Sequence, residues 1–131
     1  MRGRIPWVLL LCLLAGGGCS RQKSTDELIA DLKSSEEKDR IIAVRLLPQR
    51  KGDATPQIVP ALVAALKDKQ GDVRWSAAIG LGSLGDQARE AIPALKAAQR
   101  DRDARVREAA GVALTRIDPA TFPTSPKSQG K

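Results

Sequence analysis

Residues 24–118 repeat themselves at a period of 33 to 34, and a repeat of that length leaves a chain few folds to choose from. Displaced by 33 residues, Pro60-Ala61-Leu62-Val63-Ala64-Ala65 falls on Pro93-Ala94-Leu95-Lys96-Ala97-Ala98. In the same alignment Asp68 meets Asp101, Val73-Arg74 meets Val106-Arg107, Ala77 meets Ala110 and Leu81 meets Leu114. A displacement of 34 carries the pattern back once more: Leu28, Ala30, Leu32 and Lys33 meet Leu62, Ala64, Leu66 and Lys67, while Arg40, Ala43 and Leu47 meet Arg74, Ala77 and Leu81. Chance matches between Ala-rich segments do not keep the same positions through two successive displacements.

Each unit reads as a pair of helices, with units at about 24–51, 55–85 and 86–118. In the second, Thr55-Pro56 predicts an N-cap followed by proline at the first helical position. Val59, Leu62 and Leu66 then recur at helical spacing. Asp72 is the expected cap of the next helix, whose stripe is Val73, Ala77, Leu81 and Leu84, with Gly85 as its stop. The third unit repeats this with Ile92, Leu95 and Ala98, then Val106, Ala110, Leu114 and Ile117, ending at Pro119. The first opens on a capping box from Ser24 to Glu27, and its second helix, from about Asp39 to Leu47, is cut by Pro48. No segment alternates as a half-buried strand does. The expected fold is an all-α solenoid of three helix hairpins, near the minimum for a stable stack because each unit buries its apolar face only against its neighbours.

Composition narrows the chemistry. The sequence has no His, one Phe, two Trp and no Tyr. The commonest acid/base catalyst and metal ligand is thus missing, and so are the His-Glu pairs that metal-dependent hydroxylation would use. Both cysteines, Cys12 and Cys19, precede the repeats, so the body can form neither a disulfide framework nor a zinc cluster. The acidic pairs Asp26-Glu27 and Glu36-Glu37 stand at helix starts, where carboxylates favour the helix dipole. No catalytic residue, metal or cofactor is expected.

The repeats resemble HEAT repeats, in particular the short bacterial HEAT-like units of the phycobilisome-lyase type. That family carries a Pro in the first helix, an Asp eight residues later and a Val-Arg pair opening the second helix. Here these are Pro60, Asp68 and Val73-Arg74, then Pro93, Asp101 and Val106-Arg107. The resemblance implies a hydrogen-bonded ladder between neighbouring repeats through Asp68, Asp101, Arg74 and Arg107, joined by Arg40. The first unit departs from the pattern, with Asp26 at the Pro position, Ser34 at the Asp and Asp39 at the Val, as suits a terminal repeat.

Two surfaces are candidates for binding. The family's second helices line its inner face, and Trp75 and Ile79 lie off the core stripe, one turn apart. With their counterparts Ile41, Arg45, Glu108 and Val112 they form a ridge of mixed apolar and charged character. An exposed Trp is a frequent anchor, although Trp75 packed against an adjacent helix would merely fill space. The net charge is +7, and Arg100, Arg102, Arg105 and Arg107 cluster at the third hairpin. Asp101, Asp103 and Glu108 are interleaved there, a pattern of a solvated hairpin; nucleic-acid binding would show less acid and more stacking aromatics. Anionic lipid or a wall polyanion is the reasonable counterpart of that hairpin. The expected role is therefore a non-catalytic protein-interaction module or scaffold of unidentified partner, with self-association open. An accessory subunit or lyase-like helper is the alternative, beside polyanion binding.

Ahead of the repeats, residues 1–18 have the layout of an export signal. Arg2 and Arg4 precede an apolar run from Ile5 to Ala15, followed by Gly16-Gly17-Gly18-Cys19-Ser20. The run falls well short of the roughly 20 residues a membrane-spanning helix needs. The end resembles a bacterial lipobox, with Gly18 before the cysteine and Gly16 where an aliphatic residue is usual. The resemblance implies cleavage before Cys19, its acylation, a short linker 19–23 and attachment to the outer membrane or the outer face of the cytoplasmic membrane. Plain cleavage between Ala15 and Gly18, or a retained anchor, would export the same body. Residues 119–131, rich in Pro, Ser and Thr, are expected to be a disordered tail. Several buried acyl chains hold a protein firmly at about 0.8 kcal/mol per methylene. Cys19→Ala is therefore expected to move the chain from the membrane pellet to the soluble fraction of lysed cells, and retention in the pellet would count against acylation.

Overall fold

The computed structural model describes residues 21–50, 52 and 54–123. The export signal and Cys19 lie outside them. The described residues are helical, in six helices paired into three hairpins: α1 (Thr25–Asp31) with α2 (Glu37–Leu46), α3 (Thr55–Ala65) with α4 (Gly71–Leu84), and α5 (Ile92–Ala98) with α6 (Ala104–Ile117). Short 3-10 segments, Leu47–Gln49 and Gly85–Ala91, lead from each hairpin to the next. Among them no helix is long and apolar enough to cross a membrane.

Local chemistry explains most of these boundaries. Ser24 caps α1 in a complete capping box: its hydroxyl accepts from the Glu27 N–H, and the Glu27 carboxylate accepts from the Ser24 N–H. Gly85, at φ 60°, ψ −137°, ends α4 in a conformation that a Cβ would strain. Two expected caps are elsewhere. Helix α4 begins at Gly71 with Gln70 as its cap residue, and the Asp72 carboxylate pairs with Arg105. Helix α3 has Ala54 as its cap residue, while the Thr55 hydroxyl turns back to accept from the Gly52 N–H. In both cases a partner outside the helix outbids the helix end for the side chain.

The expected stripes form one continuous core. Val73, Ala77, Leu81 and Leu84 are buried together with Val106, Ala110, Leu114 and Ile117, and Leu28, Val44, Leu47, Ile58 and Leu62 continue the core into the first two hairpins. Burying aliphatic side chains of this size contributes about 1.5–3 kcal/mol each. Residues 119–123 differ from the expected tail. The Phe122 N–H donates to the Asp118 carbonyl at 2.9 Å, and its ring packs on the core edge with the Lys96 ammonium 5.1 Å from its centroid. The ring is the point at which this turn meets the core.

Small residues set the spacing between second helices, and α4 and α6 make the most extensive contact in the stack. A Cβ added at Gly82 would stand 3.0 Å from Ala113 Cα and 3.1 Å from Ala113 Cβ. A backbone atom cannot swing aside, so overpacking at about 1–3 kcal/mol outweighs the roughly 1 kcal/mol that alanine gains over glycine in a helix. Gly82→Ala is expected to lower the thermal midpoint. Gly111→Ala on α6, where the added Cβ meets only Gln99 Nε2 at 3.6 Å, is expected to leave the midpoint unchanged or raise it.

Candidate functional site: the arginine ladder and the surface of the second helices

The hairpin turns are joined by arginines that reach along the stack. Arg40 Nε donates to Asp68 Oδ2 at 2.8 Å and its Nη2 to Oδ1 at 3.3 Å. Arg74 grips Asp101 in the same way, at 2.8 and 2.9 Å. The third nitrogen closes each arginine's own turn: Arg40 Nη1 donates to the Ser34 and Ser35 carbonyls, Arg74 Nη1 to those of Asp68 and Lys69, and Arg107 Nη1 to those of Asp101 and Arg102. Each aspartate also accepts a backbone N–H two residues on, Gln70 for Asp68 and Asp103 for Asp101, both at 2.8 Å. Arg40 and Arg74 retain only 5% and 7% side-chain exposure and the two aspartates 11% each, so these pairs sit almost out of water. Ser34 holds the acceptor position of the first turn. Its hydroxyl accepts from the Glu36 N–H at 3.1 Å and donates to the Asp39 carboxylate at 3.0 Å.

The ridge residues divide. Two shallow depressions lie side by side where α2, α4 and α6 run together. One, of about 420 Å³, is walled by Trp75, Ile79, Glu108, Val112, Arg105 and Arg116. The other, of about 460 Å³, is walled by Arg45, Pro48, Gln49, Trp75, Ser76 and Ile79. Trp75 and Ile79 thus form the partition between them. Ile79 is 41% and Val112 47% exposed, whereas Trp75 is half-buried against the core. Ile41 is half-buried on the core and lines neither depression; its neighbour Ile42 is the exposed one, at 50%. Ser76, at the floor of the second depression, holds a buried hydroxyl with no hydrogen-bond partner among the described residues.

The basic hairpin is largely occupied with its own neighbours. Arg105 Nη2 pairs with Asp72 at 2.8 Å and Asp103 at 2.9 Å, and Arg102 Nη2 donates to the Lys69 carbonyl at 3.0 Å. Arg100 is exposed. Three residues escaped the sequence reading. Ile42 and Leu46 line a depression with Arg21, Lys23 and Arg50 at the other end of the stack, and Arg116 borders the Trp75 depression. The available signal was the succession Ile41-Ile42-Ala43-Val44, four apolar residues that span more of the helix than the core face covers, so that one of them must face outward.

Comparison with known proteins agrees with the fold. The model for HEAT repeats matches residues 25–115, and the chain belongs to the HEAT repeat family. Among solved structures it is similar to a chain of the complex of CpcE and CpcF of phycocyanin lyase from Nostoc sp. PCC7120, at 32% identity and a TM-score of 0.65, over 79% of its own length. It spans 40% of the length of that relative. No curated protein matches the sequence.

The Arg74–Asp101 pair gives the ladder a pH signature. The Arg74 guanidinium holds the Asp101 carboxyl below its usual range, helped by the Asp103 N–H and opposed by burial. Asp101 raises the Arg74 guanidinium in return. A depressed carboxyl contributes stability above its unfolded value, about 3.9, and loses it as pH falls through the folded value. Arg74→Ala, which strands a nearly buried carboxylate, is expected to cost about 3 kcal/mol in urea unfolding at pH 7. The gap from the parent protein is expected to narrow as pH falls below the unfolded value and to close only below the lower folded value, where the carboxyl is protonated in both states. Arg107→Ala, at an exposed side chain, is expected to cost much less.

Proposed function

We propose that this chain is a non-catalytic interaction module, tethered to an extracytoplasmic membrane face through acylated Cys19, that grips a protein partner across its second helices. The observation that carries this reading is the pair of apolar depressions divided by Trp75 and Ile79. Helices pack 8–10 Å apart, so depressions on either side of α4 are separated by about that distance. An amphipathic helix crossing the stack advances 1.5 Å per residue, and its residues i and i+7, about 10 Å apart, would fill both. Arg45 and Arg116 on the rim favour acidic flanks on that helix, with Glu108 fixing where a basic residue goes. The Ser76 hydroxyl offers a hydrogen bond to a polar atom that reaches the floor. The lack of histidine and the position of both cysteines ahead of the repeats support a role without catalysis.

A second reading has comparable support. The likeness to a chain of the CpcE–CpcF complex favours a helper subunit that works by assembling with a partner chain. The two readings part on what occupies the second-helix surface. Photo-crosslinking residues placed at Ile79 and Val112 in native envelopes are expected to capture the same protein, while one at exposed Lys67 captures none. Trp75→Ala is expected to cut that yield at least about tenfold, the loss of a central aromatic anchor. Equal capture from Lys67, or an unchanged yield with Trp75→Ala, would place the partner elsewhere.

A further inference from the structure

The ladder ends on a donor. Arg107 Nη1 closes its own turn as Arg40 and Arg74 do, on the Asp101 and Arg102 carbonyls at 2.9 and 3.3 Å. In Arg40 and Arg74 the other edge, Nε and Nη2, grips the carboxylate of the next hairpin. At Arg107 that edge has no partner among the described residues, and the side chain is exposed. It is already aimed by its turn bonds, so an incoming carboxylate would meet an ordered fork.

The helix surface beside it continues the same pattern. Helix α4 presents Gly71, Ala78 and Gly82 toward the third hairpin: Gly82 lies against Ala113 and Gly71 against Asp103. Thirty-three residues on stand Ala104, Gly111 and Thr115, equally small. Ala78 and Gly82 are buried, whereas Ala104 is exposed and Gly111 and Thr115 are half-exposed. The turn at Asp118–Phe122 packs on Lys96, at the end of α6 remote from Arg107. The opposite end of the stack offers no matching acceptor. Ser34 stands where Asp68 and Asp101 stand, and its hydroxyl is engaged by the Glu36 N–H and the Asp39 carboxylate.

We propose that the Arg107 edge of α6 is a docking seat for the first hairpin of a different HEAT-type chain, whose turn aspartate accepts Nε and Nη2 as Asp68 and Asp101 do. A second copy of this chain lacks that carboxylate and does not fit the seat. The seat lies at the end of the stack, apart from the Trp75 surface, and stands or falls independently of it.

The test supplies an acceptor of known chemistry. In a full-length variant carrying Ser34→Asp, Asp39→Val and Arg107→Gln, the first turn gains the aspartate and valine of the other two, and its own donor end is removed. Mixed with the parent chain in detergent at low salt, it is expected to form a one-to-one complex in sedimentation velocity, while each alone stays monomeric. Restoring Ser34, or giving the parent Arg107→Gln, is expected to weaken the complex at least about tenfold, as loss of a bidentate charged hydrogen bond should. If the triple variant melts without a cooperative transition, the Ser34→Asp/Asp39→Val variant carries the test, since with both ends it grows head to tail and excess parent chain shortens the oligomers. Monomers throughout in folded variants, association that survives Arg107→Gln, or dimerisation of the parent chain through Arg107 would each overturn the proposal.

Discussion

Arg40 and Arg74 each tie three parts of the molecule together. One nitrogen closes the turn of its own hairpin, two more hold the carboxylate of the next, and that carboxylate in turn accepts the N–H of the residue that caps the following helix. Nearly buried ion pairs are poor sources of net stability, because desolvation consumes most of the Coulombic gain. Their value here is positional. The surfaces that meet between hairpins are built of Ala, Gly and short aliphatics, which attract without direction and could slide by a turn at small cost. A bidentate pair at about 2.8 Å tolerates no such slide, so the ladder sets the offset that lets Gly82 nest on Ala113. The apolar core supplies the free energy, and the ladder decides which stacking it stabilises.

That division of labour governs what could be read from the sequence. The solenoid was legible because its signals are periodic and local: stripes of Val, Ala, Leu and Ile at helical spacing, a glycine stop, a capping box at Ser24. The misread starts of α3 and α4 have one cause. Asp72 and Thr55 are good caps in isolation, but each has a stronger claimant in a neighbouring segment, Arg105 for Asp72 and the Gly52 N–H for Thr55. Period alone cannot rank the cap bond against a rival, whether one only three residues away, as at Thr55, or one that exists only after stacking, as at Asp72. The packing of Phe122 was hidden for a related reason: Pro, Ser and Thr around it give no helical period, and only the packed edge near Lys96 gives the ring somewhere to go.

The binding surface was half legible. Counting along the second helices located Trp75, Ile79, Glu108, Val112 and Arg45, because off-stripe positions follow from the stripe. It could not show that Trp75 belongs to both candidate roles, lying half-buried on the core while dividing two depressions. Depressions arise from gaps between helices, and those gaps depend on residues such as Pro48 and Gly82 that no helical period singles out. Ile41 fell out of the surface because the helix turns Ile42 outward instead, a rotation of one residue that the weakly amphipathic first repeat left undetermined.

Ser34 keeps only part of what Asp68 and Asp101 do in their turns. Among the described residues no ladder arginine precedes the first turn, so an aspartate there would stand near Asp39 without the bidentate grip that Asp68 and Asp101 receive. Serine keeps the half of the job that remains, accepting the Glu36 N–H two residues on, and gives up the half that needs a partner. The consequence reaches beyond the first repeat. A stack with a complementary donor and acceptor at its two ends offers a heterologous contact that does not close, and such contacts propagate into filaments. With a neutral, occupied hydroxyl at one end and a guanidinium at the other, the ends of two copies do not complement each other. The chain therefore keeps a directional seat for another protein at the end of its ladder without becoming its own polymer.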